Sequence, residues 1–271
     1  MNAMVRSSVW CLGWLAAAAA QAACTRPINV PMAPIGLSVA FDDGRAHGIY
    51  PTLLREVATS SRCQLDLQRV PRARLQTMFD AGQADLLVPA SATPARDATA
   101  EFVPLIQVRV SLLTLDAGTP VPRSLAELLA QPDYKLAVVR GFSFGAAYDA
   151  AIAALRQRQR LVEESDPAGV ARALRLGLAQ ATVMAPSIMV GTLVNEPELA
   201  PLLKRLRVEP LEELGWSTSG LYLSRRSLGE ADRRTLRQAL AQATRSGRVW
   251  QLFIDHHPPG SLGGSIRPLA P

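Results

Sequence analysis

The run Ser91-Ala92-Thr93-Pro94-Ala95-Arg96 ends an apolar stretch, Leu86-Leu87-Val88, with small polar residues and one arginine. A guanidinium is planar and charged, and its forked donors match a carboxylate, so this loop can hold the acidic part of a small ligand. A second run, Gly141-Phe142-Ser143-Phe144-Gly145, lies between an apolar strand pattern and a helical one. Two chemistries fit it. Backbone N–H groups that open a helix bind anions. The same residues also satisfy the G-x-S-x-G pattern of a nucleophile elbow. That would need Ser143, a later acid such as Asp232 or Asp255, and His256 or His257 as base. The anion reading is preferred, because no glycine-rich oxyanion segment precedes the run and both histidines stand together before a Pro-Gly tail. No catalytic residue and no cofactor are assigned. His47 is isolated and His256-His257 lacks a spaced acidic or cysteine partner, so no metal site is expected. No phosphate-gripping G-x-x-x-x-G-K-[ST] is present either.

These residues must be positioned by the elements around them, and strand and helix patterns alternate. Residues 28–36 and 37–41 read as short strands, with Asp42-Asp43-Gly44 as a turn. Leu53, Leu54 and Val57 recur at helical spacing behind Pro51. A strand at 64–70, a helix at 72–82 and a strand at 84–90 follow. This β-α-β-α-β order predicts a mostly parallel sheet with flanking helices. The strand pattern at 109–115 runs into Gly118 and Pro120, and there a second α/β set begins. In it, Ser124 and Asp166-Pro167 read as helix caps. The tail from Pro258 onward has no periodicity and is expected to be mobile.

Arg6, a short apolar middle and Ala20-Gln21-Ala22 make a secretory signal over residues 1–22, cleaved near Ala22 or Ala23. Gln21 stands where a lipoprotein signal would place leucine, so a soluble periplasmic product is expected. Beyond the signal the cysteines are Cys24 and Cys63, and in an oxidising compartment this even pair is expected to form one disulfide, two free thiols being the alternative. The formal charge is +6, carried by 29 Lys and Arg, but the arginines are dispersed rather than clustered on one stripe. No nucleic-acid surface is therefore expected, although the overall field favours anionic ligands.

Several stretches together resemble the periplasmic solute-binding proteins of the polar amino acid type. They are GIYPTLLREVA (48–58), VPRARLQTMFDAGQADLLVP (70–89), TPARDATAEFVPL (93–105), VVRGFSFGAAYDA (138–150) and the amphipathic segment 222–253. The resemblance implies a type II periplasmic binding fold with two lobes, two hinge crossings, and in each lobe a mixed, mostly parallel sheet flanked by helices. Lobe one would comprise 24–108 and 219–271, and lobe two 109–218. It also implies a monomer that captures an anionic or zwitterionic solute between the lobes for an ABC-type permease, or for a sensor. Arg96 would hold the ligand carboxylate, with Ser91 and Thr93 beside it, and Gly141, Phe142 and Ser143 would supply the second jaw. Arg74 matches an arginine that the family often has, and Arg72 is an extra. Phe142 and Trp216 can pack on the apolar part of a ligand. Two departures bear on the ligand. Ala185-Pro186-Ser187 replaces the acid that usually takes an ammonium, and Pro34-Ile35-Gly36-Leu37 replaces the aromatic expected after the first strand.

Overall fold

The computed structural model describes residues 24–115, 121–211, 213–262 and 264–269. The signal expected over 1–22 lies outside them. The chain opens with β1 (Ile28–Met32), a hairpin of β2 (Ala40–Asp42) and β3 (Arg45–His47), and α1 (Ile49–Ser61). It continues through β4 (Leu65–Arg69), α2 (Arg72–Asp80), β5 (Leu86–Ser91), the single turn α3 (Pro94–Asp97) and β6 (Ala100–Arg109). Apolar spacing explains the helices. α1 buries Leu53, Leu54 and Val57, and α2 buries Leu75 and Phe79, four residues apart on one face. β4 pairs in parallel with β1, and the Asp85 N–H donates to the Asn29 carbonyl at 2.9 Å, so β5 starts alongside β1. A disulfide joins Cys24 to Cys63, with Cα atoms 4.8 Å apart, and ties the start of β1 to the end of α1.

From β6 the chain passes through Val110 into β7 (Ser111–Thr114), which belongs to a different sheet. The second lobe holds α4 (Leu125–Ala130), β8 (Leu136–Val139), α5 (Ala146–Gln157), β9 (Leu161–Glu164) and α6 (Pro167–Arg175). β10 (Ala181–Met184), α7 (Pro186–Asn195), a 3-10 turn (Ala200–Lys204) and β11 (Arg207–Pro210) complete it. Its five-stranded sheet has the order β11-β7-β10-β8-β9. The caps read from sequence are in place: Ser124 accepts from the Glu127 N–H at 3.0 Å and Asp166 from the Gly169 N–H at 2.8 Å.

The chain then returns through β12 (Trp216–Ser224), α8 (Glu230–Arg245), α9 (Arg248–His256) and β13 (Ile266–Arg267). β12 inserts between β5 and β6, antiparallel to both, giving the sheet β13-β6-β12-β5. That sheet takes in Arg109 and Trp216–Thr218. Gly220 permits the insertion. A Cβ there would lie 2.0 Å from the Val103 carbonyl oxygen, at a register shift in the β12–β6 pairing.

Two expectations are corrected. The sheets are mixed, but antiparallel pairs outnumber the parallel β1–β4, β8–β9 and β8–β10 pairs. The cause is that β2 and β3 form a hairpin, β7 and β12 enter by crossing between lobes, β13 comes from the tail, and β11 runs antiparallel to β7 at the edge of the second sheet. The tail is also not loose. The Arg109 N–H donates to the Ser265 carbonyl at 2.8 Å, and Ile266 is buried against the free edge of β6.

The lobes touch. A Cβ at Gly36 would fall 2.8 Å from the Ile188 carbonyl oxygen, and one at Gly191 would fall 2.7 Å from the Leu37 nitrogen. The loop after β1 thus lies directly on α7 of the other lobe. Buried apolar side chains run continuously from Ile28 and Leu53 in the first lobe to Met184 and Ile188 in the second.

Candidate functional site

Arg96 is fixed by the turn that carries it. Thr93 caps α3, and its hydroxyl accepts from the Arg96 N–H at 3.4 Å, with Pro94 next. The buried Tyr222 of β12 clamps both ends of that turn. Its hydroxyl accepts from the Thr93 N–H at 2.9 Å and donates to Asp97 at 2.7 Å. The Arg96 guanidinium then donates to the Ser91 carbonyl at 3.1 Å and to Gln76 Oε1 at 2.8 Å. Burial lowers its pKa from the ordinary arginine value, opposed by Tyr222, Asp80 and Asp149.

The Gly141–Gly145 loop lies opposite, at the start of α5. Gly141 and Gly145 have φ of 83° and 102°, in the region open to glycine. Gly141 lies against the first lobe, since a Cβ there would be 3.5 Å from Ala73 Cα. The Ser143 hydroxyl donates to Asp149 at 2.8 Å, in the first turn of α5. Arg96, Gln76 and Thr93 from one lobe and Gly141, Phe142 and Ser143 from the other line a shared open groove of about 600 Å³. Asp80, Asp149 and Arg226 also line it, so its charge is mixed.

Phe142 and Ser143 also wall a second, mostly apolar cavity of about 60 Å³. The first lobe contributes Ile35, Tyr50, Arg72, Ser91 and Ser219, and the second Phe144, Ser187 and Ile188. Tyr50 is fully buried and packs edge-on against Phe253 with centroids 6.2 Å apart. Burial raises its hydroxyl to about 12, despite a hydrogen bond with Ser219. Arg72 donates to the Pro89 carbonyl at 3.2 Å and lies over the Phe142 ring at 5.6 Å. Burial first and the Arg96 charge second pull its pKa from 12.5 down to about 10.

No known family's model matches the chain, and no curated protein does. Solved structures do. A histidine kinase sensor domain with similarity to periplasmic binding proteins superposes with a TM-score of 0.68 at 18% identity, covering 90% of this chain and 98% of that one. The amino acid ABC transporter substrate-binding protein AbpA from Streptococcus pneumoniae, bound to L-arginine, gives 0.68 at 18%, covering 85% and 94%. EhuB in complex with hydroxyectoine gives 0.68 at 17%, covering 88% and 92%. The chain has the periplasmic-binding-protein fold. At these identities the likeness establishes architecture and leaves the ligand open.

Within this binding-protein fold the sequence-predicted residues divide. Arg96, Thr93, Gly141, Phe142 and Ser143 come together at the groove, and Ser91 faces the adjoining cavity. Arg74 is exposed and is absent from the walls of both. Trp216 instead lies under Arg267, 4.2 Å from guanidinium to ring centroid. The residues that sequence reasoning did not assign to the site are Tyr50, Ser187 and Ser219, together with Arg72, which it named only as an extra. One signal was available for Arg72. It stands three and seven residues before the buried Leu75 and Phe79, so it shares their helix face, and Arg74 does not.

The nucleophile-elbow alternative is not assembled. Ser143 bonds to Asp149, and His257 contacts the Phe253 and Ser187 carbonyls at 3.0 and 3.4 Å. Asp232 holds Thr25, and Asp255 accepts from Gln251. Among the described residues no group of three His, Cys, Asp or Glu is placed to hold a metal ion, and no helix is long and apolar enough to cross a membrane.

Proposed function

We propose that this protein reversibly captures a small anionic or zwitterionic solute between its lobes and catalyses no reaction. The observation that carries the reading is the meeting of Arg96 on one lobe with Gly141–Ser143 on the other in a single groove. A guanidinium gives direction to a carboxylate, and amides at the start of α5 add a second anion device. Ser91 and Thr93 would complete the first jaw. A ligand touching both lobes favours the closed arrangement over an open one by its differential affinity.

The division would fall near residues 108 and 218, with hinges where β6 leads to β7 and where the chain re-enters β12. The Cys24–Cys63 bond accords with export to an oxidising periplasm. AbpA belongs by name to an amino acid ABC transporter, and by likeness the delivery partner here is an ABC-type permease. A sensor role is the second reading, favoured by the kinase sensor domain, of which 98% is covered.

The test is a thermal-shift screen of small acids and amino acids, because a ligand that binds only the folded form raises its melting temperature. Calorimetry on Arg96→Ala then follows. A loss of at least about tenfold in affinity is expected from removing a charge-assisted contact. Undiminished affinity would place the ligand elsewhere.

A further inference from the structure

The two guanidiniums at this site are not equivalent. Arg96 is answered within the protein by Gln76, by the Ser91 carbonyl and by the nearby carboxylates of Asp80 and Asp149. Arg72 has no such answer. Among the described residues no Asp or Glu lines its cavity, and its contacts are one carbonyl and one aromatic face. The charge that acts on it is the like charge of Arg96. Arg72 is half-buried and has no counter-charge in its cavity, so a group that neutralises it there is favoured. A guanidinium has five N–H donors, and Pro89 takes one.

The rest of the cavity says what the neutralising group is attached to. Its walls include Phe142, Phe144, Ile35 and Ile188, with the hydroxyls of Tyr50 and five serines, Ser187 and Ser219 among them. An ammonium group here would meet a guanidinium and no carboxylate. The neighbouring carboxylates, Asp149 and Asp80, line the outer groove rather than this cavity, and there they act on Arg96. The volume of about 60 Å³ holds roughly four to six water-sized positions, enough for a body of a few carbons.

Building on interlobe capture, we infer that Arg72 is the anion anchor of the apolar cavity and that the ligand is a compact organic acid with an apolar body and no ammonium group. Arg96 then guards the mouth of the same site.

The test is isothermal calorimetry on the intact protein with pairs of acids that differ only by an amino group. These are butanoate against 2-aminobutanoate, 4-methylpentanoate against leucine, and 3-phenylpropanoate against phenylalanine. In the pairs that bind, the plain acid should be at least about tenfold tighter, the scale of a charge contact made or opposed. Arg72→Gln should remove that preference and lower acid affinity at least about tenfold, while its ligand-free melting temperature does not fall. Arg72→Lys keeps the charge without the fork and should recover part of the affinity, which also covers the case in which the glutamine variant fails to fold.

Amino acids binding as tightly as their partners, or Arg72→Gln binding acids like the parent, would overturn the inference. If Arg96→Ala loses binding while Arg72→Gln does not, interlobe capture survives and the anchor assignment falls. If no compound in the panel binds, the ligand class is wrong.

Discussion

Arg72 and Arg96 sit in one cleft, close enough for Arg72 to feel the charge of Arg96, yet they rest on different chemistry. Arg96 is embedded in a turn that two strands build for it, and its donors are taken up by the protein's own oxygens. Arg72 leans on an aromatic face in a cavity without acids. A side chain whose charge the fold already answers supports the structure as well as the ligand. One whose charge the fold leaves unanswered is available to a ligand.

The largest expected effect comes from erasing the difference. Ser187 is buried and lines the Arg72 cavity. Ser187→Asp would give Arg72 an internal partner and should weaken acid binding by roughly 100-fold or more, measured by calorimetry. Undiminished acid binding would mean that Arg72 is not the charge that matters. Next comes stability. Arg96→Met leaves the Ser91 carbonyl and Gln76 without their donor and should destabilise the ligand-free protein by about 1–3 kcal/mol in urea unfolding. Arg72→Met removes a half-buried cation that has no counter-charge in its cavity and should be neutral or stabilising. Equal losses from the two would erase the contrast.

Smaller in effect is Gly191→Ala, which acts on both arginines at once. Its Cβ would press on the Leu37 backbone and hold the lobes apart. Affinity for acids and amino acids should fall together by roughly threefold to tenfold, with a larger radius of gyration by small-angle scattering. A selective loss of one class would show that the contact tunes chemistry rather than closure.

The smallest effect concerns His257, whose ring reaches the Ser187 carbonyl behind the cavity. Burial lowers its pKa from 6.5, so the folded protein resists protonating it. Its contribution is fully present above pH 6.5 and is lost as pH falls through the lower folded value. Melting temperature should therefore slope downward below pH 6.5, and His257→Gln should flatten the slope. An unchanged slope in the variant would assign the titration to another group.

Much of this was legible in the sequence, and the exceptions have physical causes. The Thr93 turn, the Ser124 and Asp166 caps and the helix faces are local, set by residues within one turn of each other. The pairing of β12 with β5 and β6, and of β13 with β6, joins segments more than a hundred residues apart, and no local pattern reports it. The same distance explains the tail. Ile266 reads as an isolated apolar residue until the exposed edge of β6 is known. Arg72 was legible in principle, because its spacing to Leu75 and Phe79 marks the inner face of α2. The family pattern drew attention to Arg74, which points outward.

The folded-back tail has one more implication. Ile266 is both a partner of β6 and a wall of the Arg72 cavity. A single proteolytic nick between α9 and β13 would spare both lobes, both crossings and both guanidiniums, yet release one side of the chamber. Such a clipped molecule should still melt cooperatively while having lost its grip on solute, so for this protein a passing folding assay is no certificate of competence.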